Sequence, residues 1–84
     1  MAKAIHFSQH AITQWAERGA TKDEVENAIR NGTKENAPGD RDVYKMNFQF
    51  NAIWNGKYYS VKQVAPIVKE NHEIIVITVY TFYF

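Results

Sequence analysis

The clearest pattern in the chain is an alternation of apolar and polar residues over positions 44–54. Every even position is apolar or aromatic, whereas the odd positions between them are polar except for Ile53. A period of two places successive side chains on opposite faces of a β-strand. Asn55-Gly56 follows directly, and this pair favours a type I′ turn because both turn positions take positive φ. The pattern predicts a hairpin with one buried face and one polar face.

A two-residue turn also fixes the register that we expect for this hairpin. It places Trp54 opposite Lys57 and Gln49 opposite Lys62. Since directly paired residues share a face of the sheet, Lys62 is expected on the polar face beside Gln49. Lysine is uncommon in strands, which makes Lys62 a candidate functional cation.

A further strand is predicted over residues 73–82, which are rich in Ile, Val, Thr and Tyr. Its register depends on the length of the turn before it, so that either Lys62 or Val61 lies opposite Tyr80. Residues 33–41 contain Pro-Gly-Asp and are interpreted as a loop.

Two short helices are predicted before the hairpin. Ser8 is a good N-cap for the first helix, and Gly19 ends that helix because glycine enters the left-handed region easily. Thr21 and Glu24 have the spacing of a capping box, which predicts the start of the second helix. Asn31-Gly32 ends it. The expected fold class is therefore α+β.

Length and composition indicate a single domain over residues 1–84. Residues 5–7 are expected to add a short strand. The chain has no cysteine, no apolar run long enough for a membrane span and no apolar signal segment at its start, so we expect a cytoplasmic protein without membrane contact. Ten basic and nine acidic residues give a net charge of +1, so any contact with RNA must use a local patch.

Two segments resemble a known family. Residues 8–25 carry His-Ala, then Glu-Arg-Gly, a capping Thr and Glu-Val, and residues 75–80 end in Thr-Val-Tyr. Together they resemble small bacterial and phage proteins catalogued as a domain of unknown function. That family is grouped by fold with RelE-like toxins and with barnase and colicin-type ribonucleases. The resemblance implies two N-terminal helices packed on a four-stranded antiparallel sheet, together with RNA cleavage and a neighbouring antitoxin.

Metal-free RNA cleavage requires a base for the 2′-hydroxyl, an acid for the leaving oxygen and cations for the phosphorane charge. The first turn of a helix disfavours a cationic imidazole, which suits His10 as the base or acid. No metal site and no cofactor are expected. The predicted site consists of the catalytic residues His10, Lys62 and Tyr80 and the substrate-binding residues Arg18, Thr78 and Gln49.

Each of these residues also has a structural interpretation. His10 can lock helix to sheet, Arg18 suits a helix C-terminus, and Lys62 can lie on a solvated face. The protein would then be a non-catalytic binding or regulatory module, or a homodimer. The aromatic segment at residues 80–84 supports a homodimer through the last strand, because such a segment must pack on its own sheet or on a partner.

Overall fold

Two helices lie on one face of a single sheet in the computed structural model, which describes residues 3–84. The sheet has five strands. Two helices and one sheet confirm the expected α+β class. In chain order the elements are β1 (Ile5–Phe7), α1 (Gln9–Glu17), α2 (Lys22–Asn31), β2 (Thr33–Ala37), β3 (Arg41–Trp54), β4 (Lys57–Glu70) and β5 (Ile74–Tyr83).

The predicted caps form as the sequence indicates. The Ala11 amide donates a 3.0 Å hydrogen bond to the Ser8 hydroxyl, which begins α1. Thr21 and Glu24 make both hydrogen bonds of the capping box at the start of α2. Gly19 has a φ of +79° in the turn between the two helices. Local chemistry alone therefore sets three of the four helix ends.

The expected four-stranded antiparallel sheet is wrong. The strand order is β1-β5-β4-β3-β2, and β1 pairs parallel with β5, so the sheet is mixed. The short strand predicted at residues 5–7 is confirmed, but half of the predicted loop at residues 33–41 is strand β2. The sequence Thr-Lys-Glu-Asn-Ala of β2 carries no apolar alternation because this edge strand has almost no buried side chain.

The tip of the β3–β4 hairpin follows the prediction. Asn55 and Gly56 have φ values of 50° and 82°, and Trp54 pairs with Lys57. Further along β3 from the turn, the register changes at Asn51, which has a φ of 48° and forms a β-bulge. Asparagine tolerates this left-handed conformation better than most residues.

The bulge at Asn51 moves Lys62 to the other face of the sheet. Beyond it Gln49 pairs with Val61, and Phe48 pairs with Lys62. The expected pairing of Gln49 with Lys62 is therefore wrong by one residue. Because side chains alternate with a period of two, this slip turns Lys62 from the polar face to the face under the helices.

A second bulge makes the register of β5 differ from the one expected. Ala65 lies opposite Tyr80, and Lys62 lies opposite Tyr83, so neither of the two registers left open by the sequence occurs. The cause is Ile77, which has no partner where the β4–β5 register shifts. As a result Tyr80 and Lys62 lie on opposite faces of the sheet.

The core fills the space between the helices and the sheet. Ala11 of α1 and Val25 and Ile29 of α2 pack against buried side chains of the three central strands, which include Tyr44, Val64, Val68, Val76 and Val79. Neither helix covers the opposite face, which we call the outer face. The outer face includes Asn47, Gln49, Gln63, Thr78, Tyr80 and Phe82, as the cross-strand pairs require.

Candidate functional site

Lys62, one of the predicted catalytic residues, holds the fold together. Its side chain is buried, with 7% of the residue exposed. Its Nζ atom lies 2.8 Å from Glu24 Oε1 and donates a 3.0 Å hydrogen bond to the Gly19 carbonyl. The same ammonium group lies 5.3 Å from the centroid of the Phe50 ring. These contacts tie the turn between α1 and α2 to the sheet, and the predicted solvated position of Lys62 is wrong.

Two aromatic side chains of β5 lie uncovered on the outer face. Tyr80 is 42% exposed and Phe82 is 46% exposed. Their ring centroids are 6.4 Å apart and their planes differ by 21°, so the two rings are stacked in parallel. The small Ala65 lies directly opposite Tyr80 and is itself buried. We call the two exposed rings the platform, because a planar ligand can pack against them.

Arg18 reaches around the edge of β5 to this platform. It is the C-cap of α1, and its carbonyl accepts a 2.7 Å hydrogen bond from the Tyr83 hydroxyl on the helix side. Its Nη1 donates a 2.7 Å hydrogen bond to the Val79 carbonyl. Its guanidinium carbon lies 4.8 Å from the centroid of the Tyr80 ring. The fold therefore brings Arg18 and Tyr80 together, and this pair joins a cation to an exposed aromatic face.

A row of amide side chains borders the platform. Asn47, Gln63 and Phe82 lie directly opposite one another on β3, β4 and β5. Gln63 Nε2 donates a 3.0 Å hydrogen bond to Asn47 Oδ1, and Gln49 lies on the same face two residues further along β3. The alternation in β3 predicts Asn47 and Gln49 on a polar face. It does not predict Gln63 there, because the bulge shifts the register of β4 by one residue.

His10 lies on the helix that supplies Arg18. His10, Gln14 and Arg18 are spaced four residues apart, so they form one stripe along α1. His10 is exposed, and within residues 3–84 its side chain makes no hydrogen bond. The carbonyl oxygen of the Gln14 side chain is buried and has no hydrogen-bond partner among the described residues. His10 lies two helical turns from Arg18, about 12 Å along the helix axis.

The six predicted site residues thus separate into two groups. Tyr80, Thr78 and Gln49 lie on the outer face, and Arg18 touches Tyr80 from the edge. His10 shares the stripe of Arg18. Lys62 lies on the other face and contributes nothing to this arrangement, so the set His10, Lys62 and Tyr80 does not share a cleft.

The largest pKa shift among the described residues lies away from the platform, at Glu70 at the end of β4. Glu70 accepts a 2.7 Å hydrogen bond from the Tyr44 hydroxyl and a 2.9 Å bond from the Lys3 ammonium group. These bonds lower the pKa of Glu70 to about 2. Burial and the nearby Glu70 carboxylate raise the pKa of Tyr44 above its ordinary value. This network joins the start of the chain to the sheet and is structural.

Within residues 3–84, no group of three or more His, Asp or Glu side chains lies close enough together to hold a metal ion. No helix in that part of the chain has the length and apolar character needed to cross a membrane.

Comparison with known proteins gives one match, to a family model. No curated protein and no solved structure matches the chain. The family model, described as "Domain of unknown function (DUF4258)", matches residues 7–81, which include α1, α2 and almost all of the sheet. Tyr80, Arg18 and the amide row lie within the matched range, and Phe82 lies one residue beyond it. The chain belongs to the DUF4258 family.

Proposed function

We propose that the outer face of the sheet binds single-stranded RNA and that the protein is a RelE-like, metal-free ribonuclease of the toxin type. The observation that carries this proposal is the contact of Arg18 with the exposed Tyr80 ring beside the stacked Phe82 ring. A cation, an aromatic platform and a row of amides on one open face are the three elements that single-stranded RNA requires of a protein surface.

Base stacking supports the platform as the central contact. Unstacked bases of single-stranded RNA pack on exposed aromatic rings, and each such stack is worth about 1–3 kcal/mol. The Tyr80 and Phe82 rings are parallel to within 21°, and each residue is more than 40% exposed. An unpaired base can therefore pack against the exposed surface of this pair.

Arg18 supports phosphate binding beside the stacked bases. Its Nη1 atom is engaged by the Val79 carbonyl, which fixes the guanidinium plane over Tyr80. A guanidinium group carries five N–H donors, so others remain for phosphate oxygens. Because the net charge is only +1, affinity must rest on stacking and on this local cation more than on bulk attraction.

The amide row supports contact with base edges. Gln63, Asn47 and Gln49 each carry a donor and an acceptor, which match the Watson–Crick edges of unpaired bases. Gln63 and Asn47 already bond each other and so hold their side chains in place. A base stacked on Phe82 lies beside this pair, since Phe82 is directly opposite Gln63.

Cleavage would follow the metal-free course that the RelE-like resemblance implies. His10 takes the 2′-hydroxyl proton, and the 2′-oxygen attacks the neighbouring phosphorus. The bond to the 5′-oxygen breaks, and that oxygen takes a proton from the Tyr80 hydroxyl, which leaves a 2′,3′-cyclic phosphate and a 5′-hydroxyl. Arg18 stabilises the added negative charge of the phosphorane. Lys62 has no part in this step because it is buried on the other face.

RNA binding is tested with a fluorescent, mixed-sequence single-stranded RNA and fluorescence anisotropy. We expect Tyr80→Ala to weaken binding at least about fivefold, since it removes a stacking surface worth about 1–3 kcal/mol. Arg18→Gln should weaken binding and flatten its salt dependence. Tyr58→Ala is the matched control, because Tyr58 is also an exposed tyrosine and lies at the hairpin tip. Equal affinities for the Tyr80 and Tyr58 variants would contradict the proposed face.

Cleavage is tested on the same RNA in the presence of EDTA, with the product ends identified by mass spectrometry. We expect 2′,3′-cyclic phosphate ends from the wild type and at least a hundredfold loss of rate in His10→Ala with RNA affinity unchanged. Expression in bacteria should slow growth, and His10→Ala should relieve this effect. RNA binding without cleavage or growth inhibition would instead favour a non-catalytic RNA-binding module.

A further inference from the structure

The two edges of the sheet differ in how they are protected. Strand β1 covers β5 only from Ile74 to Val76. Ser8 then bonds the carbonyls of Val76 and Ile77, and Arg18 bonds the carbonyl of Val79. Beyond this point, within the part of the chain that the structure describes, no element pairs with the outer edge of β5.

The direction of the free backbone groups follows from the ladder. Phe84 and Val61 exchange both backbone hydrogen bonds, so Phe84 is bonded towards β4. Because bonding direction alternates along a strand, Phe82 also faces β4, whereas Thr81 and Tyr83 point their N–H and C=O groups outward. This edge is a ready template for another strand.

The residues of the edge do nothing to prevent such pairing. Residues 74–84 contain no charged side chain. The opposite edge strand β2 carries Lys34 and Glu35 in the middle of its five residues, and both are exposed. Charged side chains on edge strands are a common protection against association. The sheet therefore has one protected edge and one unprotected edge.

We infer that two copies of this chain pair through the free edge of β5, antiparallel and with Phe82 on the twofold axis. This register brings Thr81 of one copy opposite Tyr83 of the other, and both have outward-facing backbone groups. They therefore exchange hydrogen bonds on each side of the axis. The two five-stranded sheets join into one continuous sheet, and their outer faces form a single surface.

In this register the side chains of one copy meet similar side chains of the second copy. Phe82 meets Phe82 of the second copy, and Tyr80 meets Phe84 of the second copy, all on the outer face. These three rings are each between 42% and 62% exposed in the single chain. Aromatic cross-strand pairs stabilise a sheet, and no like charges meet across the axis. A second copy fits this edge because it supplies an equally apolar, equally uncharged strand.

The register is tested by disulfide trapping, because the chain has no cysteine of its own. Phe82 would form a non-hydrogen-bonded pair across the axis, in which the Cα atoms are about 4.5 Å apart. This separation is within the range that a disulfide bridges. We expect Phe82→Cys to form a covalent dimer readily under mild oxidation. Ile53→Cys, which is 63% exposed at the hairpin tip, should remain largely monomeric under the same conditions.

The unmodified chain is tested by sedimentation velocity over a series of concentrations. We expect a dimer for the wild type, a monomer for Phe82→Lys, and a dimer for the control Ile53→Lys. Circular dichroism establishes that each variant is folded. A wild type that sediments as a monomer throughout, or equal crosslinking of the two cysteine variants, would overturn the inference. Because sedimentation of the wild type is measured without RNA, this result does not depend on the proposed function.

Discussion

The two faces of the sheet use similar residues for different purposes. On the helix side an aromatic cluster of Phe50, Trp54 and Tyr59 surrounds the Tyr83 ring, and Lys62 lies among them with its charge paired. On the outer face Tyr80 and Phe82 are uncovered, and Arg18 reaches them from the edge. A buried cation and its aromatic neighbours hold the helices on the sheet, whereas a half-buried cation and two exposed rings are available to a ligand.

This comparison explains why residue type alone misassigned Lys62. A lysine in a strand and an arginine at a helix end are equally plausible phosphate ligands by composition. Their surroundings separate them, because Lys62 already has a carboxylate and a carbonyl as partners. Substitutions on the helix side are therefore expected to reduce stability, and substitutions on the outer face are expected to change it least.

The largest effect is expected from removing the charge that compensates Lys62. Glu24→Gln keeps an acceptor for the Thr21 backbone N–H but leaves the buried Lys62 ammonium group without its anion. This lowers the free energy of unfolding by about 3 kcal/mol. Urea unfolding measures this loss. Glu26→Gln is the control, since the exposed pair of Glu26 with Lys22 is worth less than about 0.5 kcal/mol. Equal losses of unfolding free energy in the two variants would show that the ion pair of Lys62 with Glu24 does not stabilise the fold.

A smaller loss is expected at the turn between the helices. In Gly19→Ala a Cβ atom would lie 2.5 Å from the Tyr83 hydroxyl and 2.7 Å from the Trp54 ring, at a φ of +79°. Gly39→Ala has the same backbone conformation with nothing within 4 Å. Both variants lose about 1 kcal/mol to backbone strain, and Gly19→Ala loses about 1 kcal/mol more to overpacking. Thermal unfolding of the pair isolates that difference.

Acid should weaken the fold through Glu70. Its pKa falls from an ordinary value of 4.5 to about 2 in the folded chain, chiefly because the Tyr44 hydroxyl donates to it. A lowered folded pKa gives stability that is complete above pH 4.5 and is lost as pH falls towards 2. The melting temperature should therefore drop over this window. Tyr44→Phe should flatten the drop, and Tyr58→Phe, which loses an exposed hydroxyl, should leave it unchanged.

The smallest effect on stability is expected on the outer face. Phe82→Ser should lower the free energy of unfolding by only about 1 kcal/mol at concentrations where the protein is monomeric, because nearly half of the residue is already in water. The same variant should weaken RNA binding, since it removes one ring of the platform. A large loss of stability without a change in affinity would reverse the roles assigned to the two faces.

Much of the outline could be predicted from local patterns. The Ser8 cap, the Thr21–Glu24 capping box and the Asn55-Gly56 turn each depend on residues close together in sequence, so their chemistry is complete within a few positions. Strand β2 could not be recognised, because a charged edge strand lacks the apolar alternation that marks a strand.

The candidate site could be predicted only in part. Arg18 and Tyr80 were identified from the family motif, and the fold places them in contact. Gln63 was missed and Lys62 was misplaced for a single reason, which is the bulge at Asn51. The apolar alternation of β3 continues through Asn51 without a break, so nothing in the pattern marks the extra residue.

The sequence by itself determined the caps, the hairpin turn and the alternating faces, because each is a short-range preference of backbone and side chain. Only the tertiary structure decided which face each residue of β4 and β5 occupies. Two single-residue bulges, at Asn51 and Ile77, set those registers. A bulge is selected by the packing of the whole sheet against both helices, and that selection involves residues far apart in the chain.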